Sequence, residues 1–89
     1  MNTRNGDSLT RLEEASRQVK RYFAKRRMKV TVLAVSTCAL PIFTIAYKPA
    51  LDRLDTADYL GTTGGADQFV IRLKGISIRW ERPRQPIGH

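Results

Sequence analysis

Residues suited to nucleophilic or metal chemistry are few in this 89-residue chain. The one cysteine is Cys38 and the one histidine is the last residue, His89, so the sequence offers no Cys–His pair and no multi-cysteine zinc or haem site. Asp52, Asp55 and Asp58 recur every third residue, a spacing that spreads carboxylates around a helix instead of converging them on a metal ion. We therefore predict a protein that is not an enzyme and has no catalytic residues, metal or cofactor.

The basic residues carry a clearer signal, because sixteen Lys and Arg against eight Asp and Glu give a net charge of +8. Residues 8–29 are predicted to form an amphipathic helix, since apolar residues recur there at three- and four-residue steps. The apolar stripe consists of Leu9, Leu12, Ala15, Val19, Tyr22 and Phe23.

Basic side chains surround this stripe, and Arg17, Arg21 and Lys25 stack like charges at four-residue intervals. Such pairs are unfavourable in an isolated helix. We therefore expect an anionic surface nearby: phospholipid headgroups, nucleic acid or an acidic protein. A solvated basic face is the simpler alternative. The residues predicted to make the contact are Arg17, Lys20, Arg21, Lys25, Arg26, Arg27 and Lys29.

An uncharged segment from Val30 to Tyr47 follows the basic helix. As a helix it would extend about 27 Å, close to the roughly 30 Å of a bilayer core, so it predicts one transmembrane helix. A buried pair of strands with a turn at Pro41 is the alternative, but it needs a second apolar layer. The predicted membrane span includes Val30, Leu33, Cys38, Pro41, Phe43 and Tyr47.

The distribution of charge around this segment predicts its orientation. Eight basic residues lie in 10–29 and two in 48–67, a bias that keeps the amino terminus on the matrix or cytoplasmic side. The apolar run is longer than that of a cleaved signal peptide, which favours a retained anchor. We expect a single-pass protein of a mitochondrial or bacterial inner membrane.

Residues 48–89 are predicted to form a small extramembrane region. Pro49 suits the start of a short helix that ends at Gly61, and the glycine-rich stretch after it lacks the ending of a phosphate-binding loop. Hydrophobic residues then alternate with polar ones, predicting a β-hairpin that turns at Lys74-Gly75; a single strand bulged at Gly75 is the alternative. A hairpin would face Leu73 with Ile76, Ile71 with Ile78, and Phe69 with Trp80. Because a lone hairpin is marginal in water, we expect a partner protein to cover these six side chains, with residues 82–89 as an extended tail.

The sequence thus predicts a mainly α membrane protein with three parts: a basic helix at 1–29, a transmembrane helix at 30–47, and a helix plus hairpin at 48–89. The favoured function is a small accessory subunit that stabilises a larger inner-membrane complex, such as a respiratory one. Its partners would be core subunits and anionic phospholipid. The alternatives are a basic nucleic-acid-binding protein, which the uncharged segment argues against, and a small membrane-active, viral or secretion-apparatus protein.

Overall fold

The chain forms one long helix and five strands. In the computed structural model, which describes residues 3–37 and 40–84, the helix α1 spans Thr3–Ala24. The strands are β1 (Val32–Ser36), β2 (Ile42–Ile45), β3 (Asp58–Thr63), β4 (Ala66–Leu73) and β5 (Ile76–Pro83). The prediction of a mainly α membrane protein is therefore wrong. Two compact units make up the chain, Met1–Val30 and Thr31–His89.

α1 carries the predicted apolar stripe, although it begins and ends earlier than 8–29. Ala15, Val19 and Phe23 are buried, and Leu12 and Tyr22 are half-buried. The side chain of Leu9 lies outside the described part of the structure. The periodicity of three and four therefore identified the buried side of the helix correctly.

The helix ends in a hydrogen-bonded reversal instead of continuing into the uncharged segment. The amide of Arg27 donates to the carbonyl of Ala24 and the amide of Met28 to that of Phe23, both at 2.9 Å. This is the Schellman pattern, in which the residue after the helix adopts a left-handed conformation. That residue is Arg27, with φ 54°. The reversal separates α1 from the strands that follow.

The uncharged segment folds as an antiparallel strand pair, so the transmembrane helix, the single-pass architecture and the inner-membrane location are wrong. In β1 and β2, Val35 lies opposite Phe43 and Ser36 opposite Ile42. Among the described residues, no helix has both the length and the apolar character that a membrane crossing requires. Two features favour strands here: the many β-branched residues, and Pro41, which is placed between the strands.

The strand pair formed by the uncharged segment is extended sideways by the rest of the sheet. The strand order is β1-β2-β5-β4-β3, and β2 runs parallel to β5 while the other neighbours are antiparallel. Phe43 of β2 is aligned with Ile78 of β5, which in turn lies opposite Ile71 of β4. The apolar segment therefore joins the predicted hairpin in one sheet.

The β4–β5 hairpin has the predicted register. Leu73 pairs with Ile76, Ile71 with Ile78, and Phe69 with Trp80. Gly75 has a φ of 75° and sits in the two-residue turn, where a positive φ is easy for glycine. The two-residue hairpin is thus confirmed over the single bulged strand.

The predicted helix from Pro49 to Gly61 is wrong beyond its first turn. A 3-10 helix covers Pro49–Arg53, with the proline at its start, and β3 then takes over. β3 and β4 are joined by Gly64 and Gly65, whose φ values of 61° and 80° fit the type I′ turn of a tight hairpin. Pairing with β4 and this turn chemistry override the weak helical spacing of the leucines.

The core of the second unit is drawn from the strands and the 3-10 helix. The hairpin face expected to need a partner is largely buried by the chain itself: Ile71, Ile76, Ile78 and Trp80 are at most 5% exposed, while Phe69 and Leu73 are half-buried. The other buried apolar residues of this unit are Phe43, Ile45, Leu51 and Val70.

Candidate functional site

The basic side chains of the first unit form an exposed surface, which we call the basic face. The ridge Arg17, Arg21 and Lys25 lies on the side of the helix away from the buried stripe, and the amide of Lys25 still donates to the carbonyl of Arg21 at 3.0 Å. Helical geometry therefore holds through all three positions. The basic face consists of eight exposed residues: Arg11, Arg17, Lys20, Arg21, Lys25, Arg26, Arg27 and Lys29.

Acidic residues are far fewer than basic ones in the first unit. Glu13 lies one turn before Arg17, with 4.0 Å between their charged atoms and both side chains well exposed. An exposed pair at that distance contributes little. Apart from Asp7 and Glu14, the other acidic residues of the described part of the chain belong to the second unit. The basic face thus keeps a high local positive charge.

Arg26 is held in place at the end of the helix. Its guanidinium carbon lies 3.7 Å from the centre of the Tyr22 ring, and Nη1 donates to the Tyr22 carbonyl at 3.0 Å. Tyr22 in turn meets Phe23 edge to face, with ring centres 5.1 Å apart. A guanidinium carries five N–H donors and the carbonyl contact uses one of them. Its planar group is therefore positioned before any ligand arrives.

A cavity of about 560 Å³ opens beside the carboxyl end of α1. Phe23, Met28 and Val30 contribute apolar walls. The cationic side chains at the same opening are those of Lys20, Arg27 and Lys29. The combination suits a ligand that has an apolar or aromatic part next to an anionic group.

A second polar cluster lies on the sheet and centres on Asp67, which is 6% exposed. Its carboxylate accepts hydrogen bonds from Thr62 Oγ1 at 2.7 Å, Arg82 Nη2 at 3.0 Å and Arg84 Nε at 3.0 Å. Thr62 and Arg82 are its register partners on β3 and β5. The cluster, which we call the Asp67 network, also includes Tyr47, Asp52 and Tyr59.

Arg82 links the two carboxylates of the Asp67 network. Its Nη1 donates to Asp52 at 3.2 Å, and Tyr47 donates to the other oxygen of Asp52 at 2.7 Å. Its guanidinium also lies 4.8 Å from the centre of the Phe69 ring, which stacks on Trp80. The hydrogen bonds that Arg82 donates to Asp67 and then to Asp52 raise the pKa of Arg82, and the bond to Asp52 raises the pKa of Tyr47.

The hydrogen bonds of this network set the acidity of its central carboxylate. Hydrogen bonds from Thr62 and Arg82, with a further contribution from Arg84, lower the pKa of Asp67 to about 2. A carboxylate this acidic is a poor general base near neutral pH. Because Asp67 contacts both neighbouring strands, it fixes the register of β3, β4 and β5 at one end of the sheet.

The predicted site residues are distributed over different parts of the structure. The predicted basic residues lie together on the basic face. The predicted span residues do not form one element: Leu33 lies on β1, Phe43 lies on β2 and Pro41 lies between the two strands. Val30 and Tyr47 flank this pair of strands. Cys38 lies outside the described residues, as does the tail from residue 85. Within residues 3–37 and 40–84, no three ligating side chains gather at a metal site.

Asp67 is the residue that sequence reasoning missed. The signal was present, because the predicted turn at Lys74-Gly75 already aligns Asp67 with Arg82 when the hairpin register is extended. Asp52 and Asp58, whose spacing argued against a metal site, form ion pairs with Arg82 and Arg72.

Comparisons with known proteins found no relative: the chain matches no protein-family model, no curated protein sequence and no solved structure.

Proposed function

We propose that this protein binds nucleic acid through the basic face of the first unit, contacting the sugar-phosphate backbone. The ridge of Arg17, Arg21 and Lys25 carries this proposal, since three exposed cations stacked at helical spacing repel one another until an anion neutralises them. A regular polyanion offers a row of such partners, and the counterions that it releases supply most of the binding free energy.

The main objection from the sequence no longer applies. The uncharged segment had little place in a small nucleic-acid-binding protein, but β1 and β2 use it as part of the sheet. The apolar segment therefore has an ordinary structural role, and it does not count against nucleic-acid binding by a chain with a net charge of +8. Eight of the sixteen Lys and Arg residues lie on the basic face, and clustering of cations on one face is the electrostatic pattern of nucleic-acid-binding proteins.

Burial of the apolar stripe disfavours a lipid surface as the partner. A helix that lies on a membrane inserts its apolar side among the acyl chains. Here Ala15, Val19 and Phe23 are at most 4% exposed, so these side chains are not available for insertion. Anionic phospholipid would then meet charges alone, without the apolar contribution that interfacial helices use.

The composition of the basic face favours phosphate over the carboxylates of an acidic protein. Five of its eight cations are arginines, and a guanidinium binds a phosphate with two parallel hydrogen bonds. The exposed guanidinium of Arg26, stacked on the half-buried Tyr22, adds a flat surface of the kind that nucleobases pack against.

The test is fluorescence anisotropy with labelled duplex DNA and labelled single-stranded RNA over a series of salt concentrations. Contact with about four phosphates predicts a slope of roughly −4 in log K against log salt. The triple variant Arg17→Gln, Arg21→Gln, Lys25→Gln should weaken binding roughly tenfold or more and reduce the slope. The matched control is Arg53→Gln, Lys74→Gln, Arg79→Gln, which removes the same charge from exposed positions outside the helix.

A competition experiment distinguishes nucleic acid from an acidic protein and from anionic phospholipid as the partner. Poly-glutamate and vesicles rich in anionic phospholipid are added to the preformed complex, and we expect neither to displace the nucleic acid at equal charge concentration. Equal weakening by the two triple variants would show that net charge alone drives binding. Displacement by either competitor at equal charge would contradict nucleic acid as the partner.

A further inference from the structure

The cavity beside the carboxyl end of α1 is formed by one short stretch of chain. Its lining residues lie between Lys20 and Val30, so the cavity belongs entirely to the first unit. Its volume of about 560 Å³ falls within the roughly 300–1,000 Å³ that is usual for small-molecule sites. The cavity is therefore large enough to take up a ligand group of the size of a nucleoside.

The reversal at the end of α1 builds the walls of this cavity. Met28 donates its amide to the carbonyl of Phe23 at 2.9 Å, and the chain changes direction at Arg27. Phe23 and Ala24, which precede the reversal, line the same cavity as Met28 and Val30, which follow it. Because backbone hydrogen bonds fix this reversal, the cavity is formed before any ligand binds.

The inner surface of the cavity is apolar, and it is accessible where a ligand would enter. Phe23 is 1% exposed and so contributes little more than the floor, whereas Met28 and Val30 are half-buried and Ala24 is exposed. None of the described residues that line the cavity is acidic. A thioether such as that of Met28 makes favourable contacts with aromatic rings. These walls suit a flat, uncharged ring.

The electrostatics of the helix end favour an anion at the opening of the cavity. A helix normally carries partial negative charge at its carboxyl end, on carbonyls that lack donors. In α1 the last four carbonyls each accept a hydrogen bond; they are those of Arg21, Tyr22, Phe23 and Ala24. Much of that negative charge is therefore offset, and the cations Lys20 and Arg27 lie at the opening.

The cavity also adjoins the ridge of the basic face. Lys20 follows Arg17 by three residues, and Ala24 follows Arg21 by three residues. Residues at this spacing are neighbours on the surface of a helix. A polyanion bound along the ridge would thus run past the opening of the cavity.

We propose that the cavity takes up an unpaired base of a single-stranded nucleic acid whose phosphates lie on the ridge. This inference rests on the proposed nucleic-acid binding and adds the form of nucleic acid that is bound. A duplex keeps its bases paired and stacked, whereas a single strand can turn a base outward into a protein site. The base would contact the apolar walls, and its phosphate would meet Lys20 and Arg27.

The cations distinguish this occupant from other apolar groups. An uncharged side chain of a partner protein would gain nothing from Lys20 and Arg27 at the opening. A fatty acid would bring one carboxylate and no further anions for the adjoining ridge of Arg17, Arg21 and Lys25. A nucleotide within a strand supplies an aromatic ring for the walls and a phosphate on each side of it for the basic face.

The experiment compares two labelled single strands of equal length by fluorescence anisotropy, one with bases and one abasic, so that the number of phosphates is the same. We expect the full-length native chain to bind the strand with bases roughly tenfold more tightly. Ala24→Leu fills the cavity without changing charge. It should lower the affinity for the strand with bases to that for the abasic strand, and leave abasic and duplex binding unchanged.

The matched control is Gln18→Leu, which adds the same side chain at an exposed, uncharged position of α1 outside the cavity. It should preserve the preference for bases, and circular dichroism checks that both variants are folded. Equal affinity of the native chain for the two strands would overturn the inference, as would equal weakening of both strands by Ala24→Leu or displacement of the strand with bases by laurate. The proposed function would survive these results if the abasic strand still bound with a salt dependence that the ridge variant reduces. Failure of the native chain to bind either strand would overturn both proposals.

Discussion

Asp67 and Arg82 face each other across β4 and β5, with 3.0 Å between Oδ2 and Nη2. Two residue pairs nearer the hairpin turn, Phe69 faces Trp80 on the same two strands, with ring centres 5.8 Å apart. Arg82 also lies over Phe69, so the polar row and the aromatic row are in contact. This end of the sheet is therefore held by an ion pair packed against aromatic rings.

The ionisation of Asp67 should make stability depend on pH in acid. Its pKa is lowered from 3.8 to about 2, chiefly by the Thr62 and Arg82 hydrogen bonds. A folded-state pKa below the unfolded value stabilises the fold above about pH 4, and that stabilisation is lost as pH falls from about 4 to about 2. Asp67→Asn should lower the melting temperature at pH 7 and flatten its decrease over this window. Thermal unfolding followed by circular dichroism at a series of pH values measures both effects.

The control for this titration is Asp55→Asn, which changes an exposed carboxylate outside the network. Its melting temperature should fall with acid as that of the native chain does. If Asp67→Asn and Asp55→Asn gave the same pH profile, Asp67 would not be the group responsible.

Arginine at position 82 should not be replaceable by lysine. Arg82 donates to Asp67 from one nitrogen and to Asp52 from another while it stacks on Phe69. A lysine ammonium is a point charge that cannot reproduce this planar arrangement. Arg82→Lys should therefore lower the melting temperature clearly more than Arg79→Lys, which alters an exposed residue of the same strand. Equal melting temperatures for the two variants would contradict the role of the guanidinium.

Local patterns predicted the elements that depend on neighbours in sequence. The three- and four-residue spacing identified the buried side of α1, and two-residue alternation around Lys74-Gly75 gave the β4–β5 register residue by residue. The prediction of a membrane helix from Val30 to Tyr47 was wrong because the length of an apolar segment does not distinguish a membrane helix from two strands. Its fold depends on the parallel pairing of Phe43 with Ile78, thirty-five positions away, which no local pattern contains.

The basic face was also predictable, since every member lies in one periodic segment. The exposure of β1 was not, because its position at the edge follows from the order of all five strands. The same apolar residues would be buried in a central strand. Their accessibility is thus a property of topology.

Two apolar residues of the uncharged segment should respond very differently to truncation. Phe43 on β2 is 2% exposed, whereas Leu33 on β1 is 64% exposed. Phe43→Ala should cost about 3–5 kcal/mol of unfolding free energy, as a core truncation does. Leu33→Ala should change it by roughly 0.5 kcal/mol or less. Urea unfolding at a protein concentration that keeps the chain monomeric measures the two changes, and similar values would argue against the strand arrangement.

The left-handed residue after α1 offers a way to stabilise the protein. Arg27 adopts a φ of 54°, a conformation that costs a residue with a β-carbon roughly 1 kcal/mol and costs glycine little. Arg27→Gly should therefore raise the free energy of unfolding, even though glycine also gains entropy in the unfolded chain. Arg27→Ala is the matched control, because it removes the same charge and keeps the β-carbon. We expect the glycine variant to exceed the alanine variant by about 0.5–1 kcal/mol in urea unfolding. An alanine variant as stable as the glycine variant would mean that the helix does not end in the reversal formed by Arg27 and Met28.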